Sequence, residues 1–135
     1  MLEKYEPNVT AEQIVERIKK ERSCSKTLAL KIISKESPHE KDYQKKIIAG
    51  IKKAFPDGFV RKITIGQYSE GGLPDVMCII KGHYFGFEVK RPVIGEATDL
   101  QKRTMKQIEE AGGTCRVVSY PEEAIETIRR YFNER

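Results

Sequence analysis

The chain contains no tryptophan and no run of apolar residues that approaches the roughly 20 needed to span a bilayer. Its three cysteines, Cys24, Cys78 and Cys115, are odd in number and lack CxxC spacing, so we expect neither a zinc site nor a disulfide framework. No secretory signal pattern stands at the N-terminus. These absences predict a cytoplasmic protein without a membrane span.

Several common catalytic motifs are also missing. The chain has no GxxxxGK loop, no GxGxxG fingerprint and no set of serine, histidine and aspartate residues. Their absence argues against P-loop nucleotide hydrolysis, dinucleotide-dependent redox chemistry and serine hydrolysis. The two histidines, His39 and His83, stand alone, and lone histidines seldom mark a site.

Basic residues outnumber acidic residues by 25 to 20, which gives a net charge of +5. The basic residues are spread along the chain in short pairs and form no tail or low-complexity block. This distribution permits a polyanionic partner that is contacted from several helices. Solvated helix faces explain the same distribution equally well.

The stretch from residue 71 to residue 90 is predicted to form a β-hairpin, around which the rest of the chain is organised. Residues 76–80 are apolar, and residues 84–90 are rich in aromatic and β-branched side chains. With Gly82-His83 as a two-residue loop, the expected turn is type II′. This register places Lys81 opposite Tyr84 and Asp75 opposite Lys90.

One face of this hairpin is predicted to be charged. Asp75, Glu88 and Lys90 share it, whereas the side chains of Phe85, Phe87 and Val89 alternate onto the core-facing side. One interpretation is a structural ion pair between Asp75 and Lys90, with Glu88 exposed to solvent. The other is a site for a hard cation.

Two carboxylates, Asp75 and Glu88, supply the oxygen ligands that Mg²⁺ or Mn²⁺ prefers, and the main-chain carbonyl of Val89 is a candidate third ligand. In this interpretation Lys90 orients or deprotonates the attacking water, or offsets charge on a phosphate.

Residues 1–37 are expected to form an N-terminal helical extension, and residues 38–135 the main domain. Thr10 and Ser25 are candidate N-caps of two short amphipathic helices. A helix-turn-helix is one interpretation of this pair. The alternative is docking onto the main domain or onto a second subunit, because residues 28–33 are too apolar to stay exposed.

The main domain is expected to be α/β, with a mixed sheet flanked by helices. The loop 66–72 is glycine-rich, and with Tyr68 and Ser69 it would allow close approach to a phosphodiester backbone. The expected elements are a helix from Pro38 to Phe55, strands at 59–65, 76–80 and 84–90, a helix opened by Thr98, a strand at 114–119 and a helix at 121–132.

An ordered set of short motifs then supports a family resemblance. These motifs are Gly72-Leu73-Pro74-Asp75, Glu88-Val89-Lys90-Arg91-Pro92, Leu100-Gln101-Lys102 and Ala111-Gly112-Gly113. Together they resemble the VRR-NUC (virus-type replication–repair nuclease) domain of the PD-(D/E)xK nuclease superfamily, over roughly residues 40–128. The resemblance implies a restriction-endonuclease-like core of order αβββαβ.

The resemblance also implies roles for individual residues. Asp75 and Glu88 would hold Mg²⁺ or Mn²⁺, Lys90 would assist the water nucleophile, and Glu40 would add a metal ligand. Gln101 would point toward the active site. Two simpler interpretations remain: Glu40 as a first-turn acid that favours the helix dipole, and Gln101 as the partner of Thr98 in a capping box. We expect the two roles of Gln101 to exclude one another.

The predicted function is therefore a Mg²⁺- or Mn²⁺-dependent DNA endonuclease. The resemblance adds branched or four-way junction DNA as candidate targets, and a homodimer as the expected assembly. Two alternatives remain open: a DNA-binding module of the same fold without catalysis, and a structural protein that binds a partner through its helical extension.

Overall fold

The computed structural model describes residues 11–22, 25–36, 38–64 and 70–134. Four residues that the sequence analysis names lie outside the described residues: Thr10, Cys24, Tyr68 and Ser69.

The described residues form five helices and four strands, which follow the predicted order. The helices are α1 (Ala11–Arg22), α2 (Lys26–Glu36), α3 (Glu40–Ala54), α4 (Asp99–Glu110) and α5 (Pro121–Asn133). The strands are β1 (Phe59–Lys62), β2 (Val76–Ile80), β3 (His83–Val89) and β4 (Thr114–Val118). Within the described ranges, no helix has the length and apolar character that a membrane span requires.

The four strands form one sheet in the order β1-β2-β3-β4, with the first three antiparallel and β4 parallel to β3. This is the predicted mixed sheet flanked by helices. Helices α3 and α5 cover one face, where Phe85, Phe87 and Val89 of β3 are fully buried in the main core. Helix α4 packs beside β4. Because β3 is central and β4 runs parallel to it, the C-terminal ends of both strands lie at one edge of the sheet.

The register of the β2–β3 hairpin differs from the predicted one. Ile80 pairs with His83, so the turn consists of Lys81 and Gly82, whose φ angles are 49° and 81°. Positive φ at both positions makes this a type I′ turn, and the predicted type II′ turn at residues 82–83 is wrong. Continuing the observed pairing by one step places Asp75 opposite Glu88 rather than opposite Lys90.

Helices α1 and α2 pack against each other around a small apolar cluster. This N-terminal cluster contains Ile14, Val15, Ile18, Ala29 and Ile33. Val93 and Ile94, in the segment after β3, pack against the same cluster, so residues of the main domain contact α1 and α2 within one chain.

Ser25 caps α2 as predicted, since the backbone N–H of Leu28 donates to its hydroxyl at 3.3 Å. The side chain of Leu28 itself remains 48% exposed.

Candidate active site

Three carboxylates from distant parts of the chain converge at the edge where β3 ends. Glu40 is the first residue of α3, Asp75 precedes β2, and Glu88 is the penultimate residue of β3. One carboxylate oxygen from each lies within 4.8 Å of the other two. The structure therefore brings together the three acidic residues that the sequence analysis selected.

Backbone contacts fix the position of Asp75. Its Oδ2 accepts a hydrogen bond of 2.9 Å from the backbone N–H of Val89, and its carbonyl accepts one of 2.8 Å from Ile63. Pro74, which precedes it, is buried against Gly86: a Cβ at Gly86 would lie 2.8 Å from Pro74 Cγ. The absence of a side chain at Gly86 thus leaves space for Pro74, and Asp75, the next residue, lies close to Glu88.

Glu88 is fully buried, with 0% of its side chain exposed. Its Oε1 accepts a 2.8 Å hydrogen bond from Gln101 Nε2 and lies 3.4 Å from Lys90 Nζ. The alternative interpretation, a structural pair between Asp75 and Lys90 with a solvated Glu88, is therefore wrong, because Lys90 pairs with a buried Glu88. Desolvation is the main cause that raises the pKa of Glu88 to about 8. The Asp75 carboxyl adds to this rise, and Lys90 opposes it.

Gln101 performs both of the roles that the sequence analysis treated as mutually exclusive. The side-chain Oε1 of Gln101 accepts from the backbone N–H of Thr98 at 2.8 Å. The backbone N–H of Gln101 donates to the Thr98 hydroxyl at 3.2 Å and completes the capping box. Its Nε2 meanwhile donates to Glu88. Because the two ends of the amide act separately, one side chain both starts α4 and holds a carboxylate.

The donor set suits a hard divalent cation. Oε2 of Glu88 is buried without a hydrogen-bond partner, although a buried carboxylate oxygen normally has a donor. It belongs to a cluster of three carboxylates with which Mg²⁺ or Mn²⁺ is compatible by ligand type. The residues present therefore fit the expected ion. The proposed contribution of the Val89 carbonyl stays a prediction.

Lys90 lies just beyond β3, and residues at the end of β4 hold its backbone. Its N–H donates to the carbonyl of Val118 at 3.0 Å, and its carbonyl accepts a 2.7 Å hydrogen bond from the Ser119 hydroxyl. The sequence analysis treated Ser119 only as the end of a strand. The available signal was its place directly after β4, because the C-terminal ends of parallel neighbours meet at one edge.

The two glycines before Leu73 serve the protein's own packing. Gly71 and Gly72 have φ angles of 79° and 80°, and a Cβ at Gly72 would lie 2.5 Å from Thr104 Oγ1 on α4. We predicted that glycines of this loop allow approach to a phosphodiester backbone. At Gly72 the close neighbour is instead α4.

None of the described histidines and cysteines belongs to this cluster of carboxylates. His83 lies at the hairpin turn, where its ring stacks on Tyr131 at 3.7 Å. His39 is exposed and precedes α3 as its N-cap residue. Burial raises the pKa of the Cys78 thiol to about 12 and that of Cys115 to about 11, so both remain protonated near neutral pH.

Comparison with known proteins gives a match among the solved structures. No protein-family model and no curated protein matches the chain. A solved structure described as "VRR_NUC domain" matches with 26% sequence identity and a TM-score of 0.53, over 68% of this chain and 96% of that one. The match confirms the resemblance predicted from the sequence motifs. It also supports the restriction-endonuclease-like α/β fold and a nuclease-type domain.

Proposed function

We propose that the protein is a metal-dependent endonuclease that hydrolyses phosphodiester bonds in DNA. The observation that carries this proposal is the convergence of Glu40, Asp75 and Glu88 within 4.8 Å, with Lys90 3.4 Å from Glu88. Glu88 is fully buried, and Glu40 and Asp75 are partly buried, so the cost of ionising all three carboxyl groups this close together is offset by a bound divalent cation.

Glu40, Asp75 and Glu88 would hold the ion, and the Val89 carbonyl is a candidate further ligand. A bound Mg²⁺ or Mn²⁺ supplies Lewis acidity, which lowers the pKa of a water molecule and offsets charge on a phosphate. The backbone N–H of Val89 orients the Asp75 carboxylate, and the Gln101 amide orients that of Glu88. These hydrogen bonds keep the carboxylates in place before substrate arrives.

Lys90 is the residue that acts on the reacting groups. Its side chain is 14% exposed, so the ammonium lies at the border between the buried carboxylates and solvent. From there it can hold the attacking water or neutralise a phosphate oxygen as water adds to phosphorus and the bond to the leaving alcohol breaks.

The first turns of α3 and α4 carry exposed basic residues next to site residues. Lys41 follows Glu40, whereas Lys102 and Arg103 follow Gln101. Helix N-termini and lysine side chains both favour phosphate groups. We assign these residues to contacts with the DNA backbone on either side of the scissile bond.

Two exposed leucines support a substrate with unpaired bases. Leu73 is 42% exposed and stands two residues before Asp75, and Leu100 is 43% exposed and precedes Gln101. Large apolar side chains at a DNA-binding surface pack against unstacked bases, and unstacking costs less where the duplex is already interrupted. Branched DNA therefore fits the site better than plain duplex.

The test is cleavage of labelled duplex, flap and four-way junction DNA with Mg²⁺, with Mn²⁺ and with EDTA. We expect cleavage only with a divalent ion, and a rate on branched DNA that exceeds that on duplex. D75N and E88Q should abolish cleavage. E126Q is the matched control, because Glu126 is exposed and pairs with Arg130 at 2.9 Å.

Unchanged cleavage by D75N or E88Q would overturn the assignment of the site. Metal-dependent binding to branched DNA without cleavage would instead support the alternative, a DNA-binding module without catalysis. A further comparison with L73A and L100A tests the base contact: their loss of rate should be larger on branched DNA than on duplex.

A further inference from the structure

The position of Lys90 depends on residues outside β3. The strand ends at Val89, so Lys90 is the first residue beyond the assigned strand. Both of its backbone polar groups nevertheless have partners at the end of β4: Val118 accepts from its N–H, and the Ser119 hydroxyl donates to its carbonyl. These two contacts together restrain the backbone on either side of the Lys90 Cα, from which the side chain projects.

Ser119 is itself held by α5. Its backbone N–H donates to Glu123 Oε1 at 2.9 Å, and the same oxygen accepts from the N–H of Tyr120 at 3.0 Å. Glu123 stands in the first turn of α5, so the junction between β4 and α5 is fixed by one carboxylate. The hydroxyl of Ser119 therefore approaches Lys90 from an anchored backbone.

The turn after Lys90 packs closely against it from another direction. The N–H of Gly95 donates to the carbonyl of Arg91 at 2.9 Å, and a Cβ at Gly95 would lie 2.8 Å from the Cβ of Lys90. Little space therefore remains for a different backbone path. A rotation of the Lys90 carbonyl away from Ser119 would displace the ammonium, which lies 3.4 Å from Glu88 Oε1.

We propose that Ser119 is a positioning residue for Lys90: its hydroxyl sets the backbone conformation from which Lys90 reaches Glu88 and the substrate. This inference rests on the proposed function for its catalytic consequence. The positioning itself concerns residues of this chain and can be measured without activity.

The first test is a double-mutant cycle on single-turnover cleavage at saturating metal and DNA. S119A should lower the cleavage rate by roughly tenfold, because small misplacements of a catalytic group carry such costs. In the K90A background the same substitution should have no further effect, since Ser119 acts through Lys90. S119T keeps the hydroxyl and should restore most of the rate.

T127A is the matched control. Thr127 also carries a hydroxyl bound to a backbone carbonyl, that of Glu123 at 2.8 Å, and accepts from Arg116 at 2.9 Å. We expect T127A to leave the cleavage rate unchanged. Equal losses from S119A with and without Lys90 would show a purely structural role and overturn the proposal.

The second test needs no cleavage. In metal-free protein labelled with ¹³C-lysine, the ε-methylene NMR signal of Lys90 is assigned by its loss in K90R. S119A should move this signal toward those of exposed lysines, whereas T127A should not. An unmoved signal in S119A overturns the positioning proposal. If the signal moves but the wild-type protein cleaves no DNA, the positioning stands and the proposed function fails.

Discussion

Among single residues, Glu88 dominates the electrostatics of the candidate site. It is fully buried near the Asp75 carboxyl, and its pKa is raised to about 8. Below that pH the carboxyl binds a proton, and a divalent cation must displace this proton in order to bind. Metal binding should therefore strengthen as pH rises toward about 8, and proton release should accompany it.

We predict that E88Q changes the pH dependence of stability in the absence of metal. A raised pKa means that the folded protein binds more protons than the unfolded chain between about pH 4.5 and 8. Stability of the wild type should therefore fall as pH rises through this range. E88Q, which cannot ionise, should remove much of that fall, on the order of a few kcal/mol at most.

Urea unfolding with EDTA, at about pH 5 and about pH 8.5, measures this effect. E126Q provides the control, since Glu126 is exposed, and its two free energies of unfolding should follow the wild type. A wild-type free energy that does not fall with pH would contradict the raised pKa of Glu88.

A second prediction separates the two roles of Gln101. T98A removes the half of the capping box that the Thr98 hydroxyl makes, and it spares the contact with Glu88. Q101A removes the other half of the box together with the contact to Glu88. Each should lower the free energy of unfolding by about 1 kcal/mol through the cap. Only Q101A should also weaken Mn²⁺ binding, measured by calorimetry. Equal Mn²⁺ affinity in the two variants would show that the bond from Gln101 to Glu88 has no part in metal binding.

The residues of the site could be selected from the sequence, but their contacts could not. Asp75, Glu88 and Lys90 stand out because charged residues interrupt an apolar strand pattern. The sharing of the Gln101 amide between Thr98 and Glu88 depends on atoms at the two ends of one side chain. Residue spacing does not show that one amide group makes two contacts. It also does not show that the Ser119 hydroxyl donates to the carbonyl of Lys90.

Among the elements, the β2–β3 hairpin was predicted with a wrong register, yet its core-facing side chains were predicted correctly. The observed pairing is shifted by two residues from the predicted one, so Asp75 lies opposite Glu88 instead of Lys90. A shift by an even number of residues preserves the alternation of sides. Phe85 and Phe87 therefore fall in the core in both cases. Glycine is favoured at the first loop position of a type II′ turn and at the second of a type I′ turn. The observed type I′ turn requires a positive φ at Lys81, which the residue type does not indicate.

The third prediction compares two glycines of this hairpin. G86A should press Pro74 and Cys115 outward, since its Cβ would lie 2.8 Å from Pro74 Cγ and 3.2 Å from Cys115 Sγ. We expect a loss of about 1–3 kcal/mol in stability. Because Pro74 adjoins Asp75, weaker Mn²⁺ binding should accompany it.

G82A is the control for that experiment. Gly82 has a φ of 81° and no atom within 4 Å of an added Cβ, so the cost should be backbone strain of about 1 kcal/mol. Its Mn²⁺ affinity should match the wild type. If G86A also binds Mn²⁺ normally, the packing of Pro74 on Gly86 does not position Asp75.

In the whole molecule, the surface against which the N-terminal helices pack could not be predicted from the sequence. Their amphipathic pattern indicated that an apolar surface must receive them. Which surface does so depends on long-range contacts, and Val93 and Ile94 are 57 or more positions away from both helices along the chain. In the structure, Val93 and Ile94 of the same chain pack against the N-terminal cluster, and Arg91 adds a 2.6 Å hydrogen bond to the carbonyl of Ser34.

The last prediction follows from that packing and concerns assembly. Removing residues 1–36 exposes Val93 and Ile94 and deletes the Ser34 carbonyl, so we expect a loss of roughly 1–3 kcal/mol in stability. The number of subunits, measured by sedimentation, should stay the same as in the full-length chain, because the N-terminal cluster is already buried by contacts within one chain. L28S tests the 48% exposed side chain of Leu28 alone, and it should change neither quantity. A full-length dimer that becomes monomeric in either variant would instead make the N-terminal helices a subunit contact, which would hold two active sites in a fixed relation suited to a two-fold symmetric DNA junction.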